Sequence, residues 1–118
     1  MTPSIAEAEE LLPLTPTVFH ILLAVAANPR HGYAIMQEVN ARSDGRVGLG
    51  PGTLYGAIRR MCREGLLEKT DPPAGEQRDP RRRYYAITAF GTAAMEAEVE
   101  RMRRLVTHAQ ATLRNSKA

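Results

Sequence analysis

The chain has 118 residues, 43% hydrophobic and 25% charged, with a formal net charge of +3, no Trp and a single cysteine, Cys62. That length supports one domain with an adequate but not generous core and excludes two domains of ordinary size. One cysteine excludes an internal disulfide and fits a reducing compartment. The longest mostly apolar stretch, Val18 to Ala27, is about half of what a membrane span needs.

In chain order, residues 1–14 read as an N-terminal extension, in which 4–12 (SIAEAEELL) can form a short helix with Ser4 and Glu7 at capping-box spacing. No basic flank leads into an apolar run there, so no secretory leader is expected and the chain reads as cytoplasmic, with no membrane partner. Thr15-Pro16 is a cleaner helix start, since Thr caps and Pro suits the first helical position. The helix it opens, Pro16 to Ala27, is apolar on nearly every side through Val18, Phe19, Ile21, Leu22, Leu23 and Val25. Such a helix must be covered on nearly every side. Asn28-Pro29 stops it.

A second helix is expected from about Gly32 to Arg42, with Ile35, Met36 and Val39 on one face. Residues 45–52 (GRVGLGPG) read as loop. A third helix follows from Pro51 to Glu64, where Leu54, Ile58 and Met61 recur four and three apart, and Gly65 suits its C-terminal end. Two strands, Leu66 to Thr70 and Arg83 to Ile87, flank the loop Asp71 to Arg82, whose prolines and glycine exclude helix and central strand.

From Thr88 to about Arg114 the pattern is helical again. Met95, Val99, Met102, Val106, Ala109 and Leu113 form a heptad seam, while Glu96, Glu98, Glu100, Arg101, Arg103 and Arg104 take the other faces. The seam either packs on the first apolar helix or pairs with its twin across a two-fold axis. Pairing is favoured, because one helix cannot bury all of Pro16 to Ala27 in so small a chain; the acidic residues 4–12 could extend that interface. The order of three helices, two strands and a long helix gives a mainly α fold with a small β-hairpin. It is a winged helix-turn-helix over 15–88 followed by a C-terminal dimerisation helix over 89–118.

Positive charge is local. Residues 1–14 carry Glu7, Glu9 and Glu10 with no base, whereas most of the arginines between 51 and 83 fall in two groups. With Leu54, Ile58 and Met61 facing the core, the third helix turns Thr53, Gly56, Arg59, Arg60 and Arg63 to solvent. A helix fits the major groove, and Arg donates two parallel hydrogen bonds to guanine. The small residues Gly52, Thr53 and Gly56 let backbone amides approach phosphate. A merely solvated charged face is the alternative. Arg78, Arg81, Arg82 and Arg83 at the hairpin suit phosphate clamping or minor-groove insertion, against a soluble turn partly neutralised by Asp71, Glu76 and Asp79. Because the helix leads directly into the hairpin, both groups flank one surface, which favours a nucleic-acid partner.

The segments HGYAIMQEV, GPGTLYGAIRRMCREGLLE and RRRYYAITAFG resemble the PadR family of bacterial transcriptional regulators in its short form. The resemblance covers about residues 14–91, and the following helix matches in length and character. It implies a homodimeric winged helix, usually a repressor, released from double-stranded operator DNA by a small molecule or another signal. It also implies that Tyr33, Thr53, Tyr55, Arg59 and Arg60 lie at or near DNA and that the basic loop is the wing. Met61-Cys62 stands where such proteins usually carry a Leu and a charged residue, and the chain ends after one C-terminal helix, without the longer effector domain of larger members.

The remaining chemistry-bearing residues read as structural. Tyr55 either contacts phosphate or packs between helices, Tyr85 is a core residue, and Cys62 is buried rather than a redox sensor. His20, His31 and His108 match no metal-ligand spacing, and His20 reads as a satisfied core or interface residue. Gly48, Gly50 and Gly52 match no nucleotide fingerprint. No nucleophile–base pair is visible, so neither an enzyme nor a cofactor is expected. The rivals to a DNA-binding regulator are a winged-helix protein-interaction module without DNA binding, and a small-molecule-binding module or enzyme using the dimer cleft. A dimer of this kind implies a near-palindromic operator with half-sites about one helical turn, roughly 34 Å, apart.

Overall fold

A computed structural model describes residues 5–76, 79 and 81–116. The elements are α1 (Ile5–Glu9), α2 (Pro16–Val25), β1 (Arg30–His31), α3 (Gly32–Arg42), α4 (Pro51–Arg63), β2 (Leu67–Thr70), β3 (Tyr84–Ile87) and α5 (Ala89–Ser116). The mainly helical winged fold expected from the sequence is what forms. Ser4 and its proposed capping box lie outside the described residues, but Thr15 caps α2 by accepting from the Val18 amide at 3.2 Å, with Pro16 in the first turn.

Helices α2, α3 and α4 pack their apolar faces together. Ile21, Leu22 and Val25 meet Ile35 and Val39 and the Leu54, Ile58 and Met61 stripe, all essentially fully buried. Asn40 fixes the link between α3 and α4 from both sides: its Oδ1 accepts from the Leu49 amide at 3.1 Å, and its Nδ2 donates to the Leu49 carbonyl at 3.4 Å. Leu49 is thereby held in the core, and the glycine-rich loop enters α4 at a fixed angle.

The hairpin is one strand richer than the sequence indicates. The sheet is antiparallel with order β1-β3-β2, because Arg30 and His31 pair with Tyr85 and Tyr84. Two residues carry no readable periodicity, so β1 is visible only through its partner. Arg30 also turns its guanidinium back onto the C-terminal end of α2, donating from Nε to the Ala24 carbonyl at 2.6 Å. Both Tyr84 and Tyr85 are buried, not Tyr85 alone.

The end of α4, the base of the hairpin and the start of α5 converge on Leu66. Gly65 adopts φ +80°, and the Leu66 and Gly65 amides donate to the Met61 and Cys62 carbonyls at 2.9 and 3.1 Å. This is a Schellman termination that demands a residue free to take positive φ. The Thr88 amide donates to the Leu66 carbonyl at 3.1 Å, its hydroxyl donates to the Gly65 carbonyl, and Thr88 Oγ1 accepts from the Gly91 amide at 2.9 Å. Gly91 comes so close that a Cβ there would sit 2.2 Å from the Leu66 carbonyl oxygen.

Helix α5, 28 residues long, departs from the sequence reading on one face. The stripe it buries within the chain is Gly91, Ala94 and Glu98, not the heptad seam. Glu98, assigned to solvent by the sequence, is buried: its Oε2 accepts from the Leu14 amide at 2.8 Å and its Oε1 pairs with Arg101 Nε. The Arg101 guanidinium, aided by the Leu14 amide and opposed by burial, holds this carboxyl below the usual carboxylate range. Helix α1 lies along α5 of its own chain, so residues 5–9 are engaged within the subunit.

Gly91→Ala is expected to destabilise the fold by about 1–3 kcal/mol through overpacking, outweighing the roughly 1 kcal/mol that Ala brings to a helix. Urea denaturation measures it, and an unchanged midpoint would contradict the close approach at Leu66.

Candidate nucleic-acid interface

Helix α4 presents two chemistries on opposite sides. Leu54, Ala57, Ile58 and Met61 are buried, whereas Thr53, Arg59, Arg60 and Arg63 are exposed and Gly56 is half-buried. Gly50 precedes the helix and no side chain caps it, and Pro51 occupies the first turn. The first-turn amides therefore stand at an uncapped, electropositive helix end beside Thr53.

Tyr55 both packs and remains accessible. Its ring lies over Gly32, where an added Cβ would come within 2.6 Å of the hydroxyl, yet the residue is 40% exposed. Tyr33, in the first turn of α3, is 57% exposed with no core to explain an aromatic at that position. Both tyrosines thus remain partly accessible near the start of α3.

Between α4 and the sheet runs a cleft of about 390 Å³ lined by Tyr55, Arg59, Cys62, Arg63, Lys69 and Tyr85. Lys69 is opposite Tyr85 in the β2–β3 register, so both side chains rise from the sheet face that looks at α4. Burial pushes the Tyr85 hydroxyl up, while Arg83 and Arg59 oppose that shift. Arg59 and Arg63 of α4 and Lys69 of β2 thus line one cleft. Lys69 is a functional candidate the sequence reading missed. Its signal was the spacing from Leu67, two residues back on the same face.

Arg81, Arg82 and Arg83 are exposed at the hairpin. Asp79 accepts from Arg81 Nε at 3.2 Å and lies 3.9 Å from Arg82 Nε, and Arg81 holds its carboxyl below the ordinary value. Surface pairs of this kind are screened by solvent and contribute little, so they yield readily to a phosphate. Arg78 lies outside the described residues. Cys62 is half-buried in the cleft rather than fully buried as expected, and burial pushes its thiol up against the pull of Lys69. His20 is not satisfied within the chain: its Nδ1 is buried with no hydrogen-bond partner among the described residues.

On α5, Met95 and Met102 are half-buried and Ala109 is exposed, while Val99, Val106 and Leu113 are 48, 54 and 61% exposed. Val99, Val106 and Leu113 of the seam are thus left uncovered by their own subunit, whereas Met95 packs partly against its core. Among the described residues no helix is long and apolar enough to cross a membrane. No group of three His, Cys, Asp or Glu among them is placed to hold a metal ion.

Residues 21–97 match the transcriptional regulator PadR-like family. The chain belongs to the PadR family. A PadR family transcription regulator from Clostridium difficile has the same fold, with a TM-score of 0.69 and 26% identity over 84% of this chain and 99% of that one. A PadR-like transcriptional regulator from Bacillus cereus shares the fold with a TM-score of 0.67 and 23% identity over 89% of this chain and 93% of that one. An uncharacterized 37.1 kDa protein of a Streptomyces fradiae transposon is 35% identical over 85 residues, which are 72% of this chain and 22% of that protein. The chain thus shares the winged-helix fold of PadR-type transcriptional regulators.

Lys69→Ala and Arg82→Ala are each expected to weaken binding to all duplexes alike and to flatten the salt dependence by about one unit. Titrations at several ionic strengths decide this. A slope equal to wild type removes the substituted residue from the interface.

Proposed function

We propose that the protein is a homodimeric repressor that reads a near-palindromic duplex with α4 and clamps the flanking phosphates with its hairpin wing. In this reading residues 15–88 are the DNA-binding unit and 89–118 the dimerisation helix. The observation that carries it is the cleft in which Arg59 and Arg63 of α4 meet Lys69 of the hairpin. Two cationic groups on one surface suit a polyanion better than either does alone.

Arg60 and Arg63 then face base edges, Arg59 and Lys69 the backbone, Thr53 and Gly56 allow close approach, and Tyr33 and Tyr55 contribute hydroxyl contacts. Arg81, Arg82 and Arg83, with Arg78, form the wing. The bare apolar face of α5 supports pairing with a second copy along Met95, Val99, Met102, Val106, Ala109 and Leu113. For release by a small-molecule signal, a cleft of about 580 Å³ between α1 and α5 offers a seat.

Selection from a random duplex pool tests the reading. It is expected to return near-palindromes with half-sites about 10 base pairs apart, and Arg60→Ala is expected to weaken binding to them by ~1–3 kcal/mol. Unchanged affinity would reject base reading by Arg60. Weak, sequence-indifferent binding by the wild type would favour a protein-interaction winged helix instead.

The double variant Val99→Asp, Val106→Asp is expected to sediment as a folded monomer where the wild type sediments as a dimer. A dimeric variant would place the subunit contact elsewhere.

A further inference from the structure

His31 occupies a junction that the DNA-contact reading leaves unused. It is the last residue of β1 and the N-cap of α3, with its Nδ1 accepting from the Ala34 amide at 3.2 Å. Its backbone pairs with Tyr84, and the two rings meet edge to face, with centroids 5.4 Å apart and planes at 86°. The Tyr84 hydroxyl donates to Glu76 Oε2 in the wing loop, and Arg82 acts on both rings. A continuous chain of contacts thus runs from the first turn of α3, which carries Tyr33, through His31 and Tyr84 into the wing.

That chain needs a neutral imidazole. Nδ1 accepts a hydrogen bond only while its lone pair is free, so a proton there sets one N–H against another and removes the cap. The same proton puts a cation beside the Arg82 guanidinium. The charged groups facing the ring are Arg82, which opposes protonation, and Glu76, which favours it, and the titratable group is Tyr84. Burial first, and Arg82 second, hold His31 below the usual histidine range, with Glu76 in partial opposition.

We propose that His31 is a positioning residue for DNA binding: unprotonated, it locks the start of α3 to the wing through Tyr84, and a proton on Nδ1 releases both and loosens the grip on DNA. The inference rests on the reading that the wing meets DNA. The sign follows from the proposed lock, which DNA binding requires intact. DNA-bound protein holds the neutral form more firmly than free protein does, so affinity falls as pH drops through the range below about 6.5. A phosphate lying against the ring would do the opposite.

The test is duplex affinity by fluorescence anisotropy at constant ionic strength from pH 7.5 to 5.5, for wild type and His31→Asn. Asparagine caps a helix through Oδ1 but does not titrate, and His20 and His108 remain in both proteins. Wild-type affinity is expected to fall several-fold more than that of His31→Asn by pH 5.5, within the tenfold limit that a one-unit difference in pKa between free and bound forms sets. Equal pH profiles, or a wild type that tightens on acidification, would overturn the inference while leaving the DNA-contact reading intact. Sequence-indifferent binding by the wild type at pH 7.5 would overturn both. In the free protein, NMR is expected to show the Ala34 amide and the Tyr84 ring moving together with one midpoint below about 6.5; an Ala34 amide that stays still through the His31 titration also overturns the inference.

Discussion

The hydrogen bonds around Leu66 hold together everything the interface needs. One carbonyl and its neighbours end α4, anchor the base of the hairpin and start α5, through Thr88 and the close approach of Gly91. A shift of α4 is therefore passed to the wing and to the long helix as a rigid displacement, because each is bonded to the same short stretch of chain. In the proposed dimer that rigidity sets the distance between two copies of α4. Close-packed cores transmit such shifts and do not absorb them.

Charge is then placed on this frame, not spread over it. A formal net charge of +3 is small, yet Arg59, Arg63 and Lys69 line one cleft while the acids of α1 and the Glu100 cluster lie on the other elements. Glu100 shows the contrast: Arg103 and Arg104 hold its carboxyl down to about 2, an arrangement that neutralises charge within α5. In the wing Asp79 pairs in the same way with Arg81 and Arg82.

Much of this was legible because local chemistry and global fold agree. Thr15-Pro16 starts α2, Gly65 ends α4 in a conformation that favours glycine, and Val99, Val106 and Leu113 of the α5 seam stand apart as an uncovered stripe. What the sequence hid depends on partners. β1 exists only by pairing with β3, and Lys69 joins the cleft only through its register with Tyr85. Tyr84 alternates with Tyr85 and so points to the other face, which His31 covers. Glu98 was misread because the stripe it completes is made of Gly91 and Ala94, small residues with weak hydrophobic signal beside the Met and Val seam. Its burial follows from the returning Leu14 amide, far away in sequence.

In the proposed complex, α4 and the wing of two copies engage one duplex as a single two-fold symmetric surface. Hydroxyl-radical footprinting on a selected operator measures this directly. Protected backbone patches related by a dyad are expected, with centres about 10 base pairs apart and flanking protection where the wings lie. A single protected patch, or protection without a dyad, would contradict it.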